Sequence, residues 1–145
     1  MGWLVYSVAQ RLLIISLTAR IKNYPKVHFL IIINPNDGPG NATLMDPNFQ
    51  RELPRLRSIS NIQMVGYVRT GWATRDVNVV LHEVSVYASW ADTSANYELD
   101  GIFFDETPNH YAVAAATYMV TIDQFAKGHS GFRQVNYVAP PYQSS

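Results

Sequence analysis

The stretch Gly101–Glu106, with the sequence GIFFDE, decides the fold class of this chain. A glycine and three apolar residues run without alternation into two carboxylates, a pattern typical of a strand buried on both faces of a parallel sheet. Val27–Ile33 is a second continuous run, and Gln63–Val68 and Arg133–Val138 are two further predicted strands. In chain order the four runs are centred on Ile31, Val65, Phe103 and Val135. Their nearly even spacing matches a strand–helix unit with a right-handed crossover. The sequence therefore predicts an α/β fold of parallel strand–helix units.

Two of the connections between these strands have helical periodicity. Apolar residues recur at i, i+3, i+4 and i+7 over residues 77–88, and Asp76 stands in the N-cap position. The same spacing recurs over residues 111–122. For this second helix, Thr107–Pro108 is predicted as the N-cap and first helical residue, and Gly128 as the end.

The N-terminal segment fits the strand–helix pattern less well. Residues 1–16 are predicted to be an atypical N-terminal helix or leader, and residues 17–145 to be the barrel domain. Leu12–Ala19 is a short apolar stretch flanked by Arg11 and Arg20, which favours an amphipathic or buried helix. A signal peptide or anchor, and a start outside the native fold, are the alternatives. The stretch is too short to span a membrane.

Chain length limits the architecture. Four strand–helix units build either a small open sheet or half of a closed barrel. An eight-unit barrel takes about 250 residues, and the chain has 145. The prediction is part of a (β/α)8 barrel of the TIM type, truncated at the C-terminus, with two strand edges left unpaired.

Composition excludes several classes of partner. Eleven basic residues balance eleven acidic ones, and no basic cluster offers a surface for a phosphate backbone, so no nucleic-acid partner is predicted. The chain has no cysteine, which excludes disulfides, thiolate metal sites and a cysteine nucleophile. Its four histidines form no metal-spaced pair. Neither a metal nor a cofactor is predicted, and the oligomeric state is left open.

The loop after the first predicted strand, Asn34–Gly40, has the sequence NPNDGPG. Functional groups of parallel α/β folds gather where strands end. Asn34 and Asn36 are therefore candidate ligands for sugar hydroxyls. The alternative is a plain turn, because Asn, Asp, Gly and Pro are also the ordinary turn formers.

The segment Gly66–Arg75 brings aromatic and guanidinium groups to the end of the second predicted strand. Tyr67 and Trp72 are candidates for stacking on sugar faces, and Arg69 for orienting a carboxylate. The alternative is that Tyr67 packs in the core and Arg69 forms a structural ion pair.

Asp105 and Glu106 are the candidate catalytic residues. Consecutive residues of a strand point to opposite faces. One carboxylate is therefore expected to face the pocket and the other to brace the loop or a neighbouring strand, unless the backbone turns at this point. The alternative is a capping role at the start of the following helix.

Three motifs in the same order and spacing resemble the spherulin-4-like family. They are Phe29–Gly40, Val65–Gly71 and Gly101–Glu106. The family is also called spherulation-specific family 4 and is related to glycoside hydrolase family 135. The resemblance covers residues 17–137.

This resemblance implies a (β/α)8-type barrel and endo-hydrolysis of α-1,4-linked galactosamine and N-acetylgalactosamine polysaccharide. It also implies fungal-type proteins that are secreted or held at the cell surface. Asp105 and Glu106 match the family's acidic pair, whereas Asn34, Tyr67 and Arg69 match positions that line its cleft.

The chain departs from the family at both ends. Family members begin with a strand before the first helix, which residues 1–13 do not resemble. They also reach a further catalytic glutamate on a later strand, whereas this chain has no glutamate after Glu106. Asp37 is the only substitute in a strand-end loop. Because glycosidases use two carboxyl groups, little or no hydrolysis is expected of this chain. The alternative is a non-catalytic carbohydrate-binding protein of a cell surface or spore coat.

Overall fold

The computed structural model describes residues 3–8, 11–40 and 45–133, with side chains from residue 17 onward. Strands and helices alternate along these residues, and one short 3-10 helix precedes the last strand. In chain order the elements are β1 Trp3–Val8, α1 Arg11–Lys22, β2 His28–Ile33, α2 Pro47–Arg57, β3 Ile62–Arg69, α3 Val77–Thr93, the 3-10 helix Ala95–Tyr97, β4 Gly101–Asp105 and α4 Val113–Gly128.

The four strands form one parallel sheet whose spatial order is their chain order. Each strand lies next to the one before it, always in the same direction across the sheet. With right-handed crossovers, this order places every connecting helix on the same face of the sheet. Apolar residues of all four helices accordingly share one core with alternate residues of β2, β3 and β4. This is the wall of a β/α barrel, and the predicted α/β fold class is confirmed.

The other face of the sheet, here called the inner face, has its own apolar cluster. It contains Leu30, Ile32 and Val65, with Tyr67 and Phe103 partly buried against them. The last five residues of β2 are all buried, so the unbroken apolar run reflects burial on both faces, as predicted.

Gly66 allows α3 to approach the middle of β3. A Cβ atom at this position would lie 2.7 Å from the ring of Tyr87. The hydroxyl of Tyr87, which is fully buried, donates a hydrogen bond of 2.9 Å to the carbonyl of Ile33 at the end of β2. Burial raises the pKa of Tyr87 well above its ordinary value, so the hydroxyl stays a donor. This contact fixes α3 beneath the end of the sheet at which the polar residues gather.

Substituting Gly66 by Ala is expected to lower the free energy of unfolding by about 1–3 kcal/mol, because a methyl group overlaps the Tyr87 ring in a packed core. Urea unfolding measures the effect. Gly128→Ala is the matched control: it adds the same methyl group to a helix at a position with no atom within 4 Å. There, stability should stay the same or rise by up to about 1 kcal/mol. Equal stabilities for the two variants would contradict this account of Gly66.

The start of α3 agrees with the prediction, and the start of α4 does not. Asp76 is the N-cap of α3 and accepts the backbone N–H of Asn78 at 2.8 Å, as expected. The prediction for α4 was wrong at its start: the helix begins at Val113, after an Ala112 N-cap without a side-chain hydrogen bond, and not at Thr107–Pro108. The chain turns sharply at Glu106, where φ is +52°, and a loop follows before the helix begins. The end at Gly128 is as predicted.

The N-terminal segment differs from its prediction. Residues Trp3–Val8 form a strand that pairs in parallel with β2, from Trp3 opposite His28 to Val8 opposite Ile33. The strand was missed because its sequence, WLVYSV, lacks the features of the family's first strand. The apolar stretch that follows is helical, as favoured, and α1 runs without a break across the boundary proposed after residue 16.

The fourth predicted strand, Arg133–Val138, lies outside the described residues except for its first position. Immediately before it, Phe132 forms a parallel bridge with Leu99, and the N–H of Arg133 donates to the Leu99 carbonyl at 3.0 Å. This isolated parallel bridge lies beside the amino end of β4.

Candidate active site

The carboxyl ends of β3 and β4 bring tyrosine, arginine and aspartate side chains together. Arg69 lies opposite Asp105 in the register, and Tyr67 is two residues earlier on the same face of β3. The Tyr67 hydroxyl donates to Oδ2 of Asp105 at 2.8 Å, and the N–H of Glu106 donates to Oδ1 at 2.8 Å. Both oxygens of Asp105 are therefore engaged, and this carboxylate braces the neighbouring strand.

Glu106 does not follow the alternation of the strand. Its φ is +52°, in the left-handed region that residues with side chains rarely adopt. The turn brings its carboxylate toward Arg69, with Oε2 at 3.9 Å from Nε. Strand alternation therefore does not separate the two carboxylates, because the structure has the turn of the backbone that the sequence analysis allowed as the exception. The backbone turns at Glu106, and both side chains meet residues of the same face of β3.

Arg69 also contacts the loop after β2. Its Nε lies 3.7 Å from Oδ2 of Asp37 and 3.9 Å from Oε2 of Glu106. Because both carboxylate oxygens approach the same nitrogen, the distance between them cannot exceed the sum of these two. Asp37, Asp105 and Glu106 are here called the carboxylate cluster. Two strand-end segments that are distant in sequence supply it.

The loop that carries Asp37 is held by short-range contacts. Asp37 has a φ of +51° and Gly38 a φ of +147°. The N–H of Gly38 donates to the side-chain oxygen of Asn34 at 3.1 Å, and the N–H of Asn36 donates to the Gly38 carbonyl at 3.2 Å. Asn34 is thus partly used in shaping the turn. Asn36 and Asp37 are not buried, and the Asp37 side chain keeps 60% of its surface accessible.

An ion pair between Arg75 and Glu83 lies behind the site. It was not predicted from the sequence. Arg75 donates from Nη1 to Glu83 at 2.7 Å and to the carbonyl of Arg69 at 2.9 Å. The Glu83 carboxylate also lies directly under Gly38, where a Cβ atom would be 3.4 Å away. Glu83 is one helical turn from Val80 and Tyr87, on a helix whose apolar stripe was predicted. The position of Glu83 beside this apolar stripe was the one feature of the sequence from which the ion pair could have been predicted.

Trp72 is the aromatic residue of the loop after β3, and 59% of its surface is accessible. Its φ is +54°, and its N–H donates to the carbonyl of Glu106 at 2.6 Å. The structure thus joins the Trp72 loop to the acidic turn through the backbone, and the indole remains available to a ligand.

Burial raises the pKa of Tyr67 well above its ordinary value of about 10, and the hydrogen bond to Asp105 raises it further. We expect the Tyr67 hydroxyl to stay protonated above pH 10. A ¹³C-tyrosine NMR titration measures this, with the Tyr67 resonance assigned by its loss in Tyr67→Phe. Asp105→Asn should shift its midpoint part of the way back. Because the raised pKa favours the protonated folded state, its contribution to stability is lost as the pH rises above 10. A midpoint near 10 in the native protein would contradict the partly buried Tyr67–Asp105 contact.

The opposite, amino end of the sheet contains a hollow of about 470 Å³. Two of its charged residues make structural contacts: Arg57 pairs with Asp100 at 3.1 Å, and Asp100 accepts the N–H of Met64 at 2.7 Å. In β/α barrels this end serves stability. Within the described part of the chain, no group of three metal-ligating side chains occurs and no helix is long and apolar enough to cross a membrane.

Solved structures resemble this architecture. Aspergillus clavatus Sph3, solved in complex with GalNAc, matches 94% of the chain with a TM-score of 0.84 and 34% identity. The GH6 enzyme of Orpinomyces sp. Y102 matches 90% of the chain and 50% of its own, with a TM-score of 0.54 and 13% identity, which concerns the fold alone. Together with carboxylates at the strand ends, the likeness to Sph3 defines a carbohydrate-related, glycoside-hydrolase-like domain built on part of a TIM-type barrel.

Sequence comparison specifies the family. The model of spherulation-specific family 4 matches residues 15–140, and the chain belongs to this family. Spherulin-4 of Physarum polycephalum is 31% identical over 116 residues, which cover 79% of this chain. The chain spans 31% of the length of spherulin-4 and 55% of Sph3.

Proposed function

We propose that this chain is part of a glycoside hydrolase that cleaves α-1,4-linked galactosamine and N-acetylgalactosamine polysaccharide at the carboxylate cluster. One observation carries the proposal: Arg69 Nε lies 3.7 Å from Asp37 and 3.9 Å from Glu106, at the barrel end where β/α enzymes act. The sum of these distances keeps the two carboxylates below the upper limit of about 9.5 Å that serves glycoside hydrolysis.

Hydrolysis at such a pair breaks the bond between the anomeric carbon and the bridging oxygen. One carboxyl group protonates the leaving oxygen. The other, as a carboxylate, attacks the anomeric carbon or takes a proton from the attacking water. Glu106 and Asp37 are the candidates for these two roles. Asp105, whose oxygens already accept two hydrogen bonds, is the candidate for orienting the Glu106 backbone and Tyr67.

The charge of the site favours galactosamine over neutral sugars. The cluster contributes three carboxylates, whereas Arg69 is the one cation in contact with them among the described residues. Arg75 and Glu83 behind it neutralise each other. The excess negative charge attracts the free amine of galactosamine units, so salt should weaken binding to the deacetylated polymer more than to the acetylated one.

The other candidate ligand contacts surround the cluster. Trp72 offers an exposed aromatic face for a sugar ring, and Asn36 an accessible amide for hydroxyl groups. Asn34 contributes to the site by shaping the loop that carries Asp37, and Tyr67 contributes its hydroxyl, which contacts Asp105. Because the family resemblance implies secretion or the cell surface, an extracellular or cell-surface location is part of this proposal. Immunodetection of the tagged chain in medium, wall and cell fractions tests it.

The experiment is release of reducing ends from deacetylated and acetylated α-1,4-galactosamine polymer by the purified chain. The sequence favoured little or no hydrolysis because a second carboxyl group was missing. Since Asp37 meets Glu106 at Arg69, we now expect turnover, higher on the deacetylated polymer at low salt. Binding of the polymer in calorimetry without turnover would overturn hydrolysis and favour the alternative, a non-catalytic carbohydrate-binding protein. Absence of both turnover and binding would overturn the sugar site itself.

A further inference from the structure

Thr70 is the first residue after β3 and is fully buried. Its hydroxyl lies 2.6 Å from the carbonyl of Glu106 and 3.0 Å from that of Asp105. Its N–H donates to the Asp105 carbonyl at 3.0 Å. The hydroxyl has one proton, which it directs to the nearer Glu106 carbonyl, while the Thr70 N–H is bonded to the Asp105 carbonyl, so this buried residue contacts two successive backbone carbonyls.

The carbonyls in question belong to the left-handed residue and to the one before it. Glu106, at φ +52°, is held in a conformation that is strained for a residue with a Cβ atom. Its carbonyl accepts both the Thr70 hydroxyl and the N–H of Trp72 at 2.6 Å. Strained backbone persists only where surrounding contacts overdetermine it. Here both donors come from the loop after β3, a different part of the chain.

We infer that Thr70 is a positioning residue that holds Glu106 in its left-handed turn and thereby keeps the Glu106 carboxylate beside Arg69 and Asp37. In a relaxed, extended backbone, alternation from Asp105 would turn this carboxylate to the opposite face of the sheet. The inference rests on the proposed function only for its effect on turnover, because the conformation of Glu106 is measurable without substrate.

The test compares Thr70→Val, which keeps the shape and loses the hydroxyl, with Thr70→Ser, which keeps the hydroxyl. We expect Thr70→Val to lower kcat by about 100-fold, the scale of a misplaced catalytic group, with KM little changed, and Thr70→Ser to restore most of kcat. Crystal structures should show a positive φ at Glu106 in the unsubstituted chain and in Thr70→Ser, and a φ outside the left-handed region in Thr70→Val.

Each outcome decides the inference. A folded Thr70→Val variant with an unchanged Glu106 conformation overturns it, as does a folded Thr70→Ser variant that loses kcat. If Thr70→Val does not fold, the serine variant alone carries the test. An inactive unsubstituted chain would count against the proposed function, while the Glu106 φ values in the two variants would still decide the role of Thr70.

Discussion

Replacing Glu106 by Gln is expected to lower kcat on α-1,4-galactosamine polymer by about 10²–10⁴-fold, the factor that proton transfer by a positioned side chain contributes to catalysis. The substitution keeps the size and hydrogen-bonding reach of the side chain but removes its ability to donate or accept a proton as a carboxyl group. Fold and stability should change little. Reducing-end release under saturating polymer measures kcat, and thermal unfolding checks the fold.

Glu98→Gln is the matched control, because Glu98 undergoes the same chemical change at the other end of β4. Its carboxylate lies 3.7 Å from Arg133, away from the carboxylate cluster. We expect its kcat to equal that of the unsubstituted chain. If both variants lose activity equally, or if Glu106→Gln retains full turnover, Glu106 is not a catalytic group.

Replacing Asp37 by Asn is expected to lower kcat by about 10²-fold or more and to remove one limb of the pH–rate profile. Asparagine is one of the few residues that tolerate the left-handed conformation, so the φ of +51° at this position is not disturbed. What changes is the charge beside Arg69 and the second carboxyl group that hydrolysis needs. Reducing-end release across the pH range measures both effects.

Asp123→Asn serves as the control for Asp37. Asp123 pairs with Lys127 at 2.7 Å on α4, and its substitution should leave kcat and the pH profile unaltered. An Asp37→Asn variant with normal kcat would exclude Asp37 as the second carboxyl group. Asp105→Asn would then be the next variant to test, since Asp105 also lies in the carboxylate cluster.

Much of the fold follows from local sequence. The continuous apolar runs predicted β2 and β4, because strands of a parallel sheet are covered on both faces, and a further short apolar run predicted β3. The cap at Asp76 is a contact between close neighbours in the chain, so the sequence around it was sufficient. Strand β1 was not predicted, because its sequence lacks the features of the family's first strand, and its place in the sheet is seen only in its pairing with β2.

The sequence by itself also determined which residues end the strands, and hence that Tyr67, Arg69, Asp105 and Glu106 share one edge of the sheet. Alternation, a rule about neighbouring residues in an extended chain, left the direction of the Glu106 side chain dependent on whether the backbone turns at this residue. Only the tertiary structure decided it, since the donors that stabilise its left-handed backbone come from Thr70 and Trp72 on another loop.

The same holds for Asp37, which the sequence offered merely as a substitute carboxylate. It approaches Glu106 across Arg69, and its loop contacts Asn34 and lies over Glu83 on α3. Most of these contacts join residues that lie far apart in the chain, and no local pattern of residue types encodes which of them will meet. The sequence thus specified the strands and the chemical groups, and the packing of loops against one another specified the geometry in which those groups can act together.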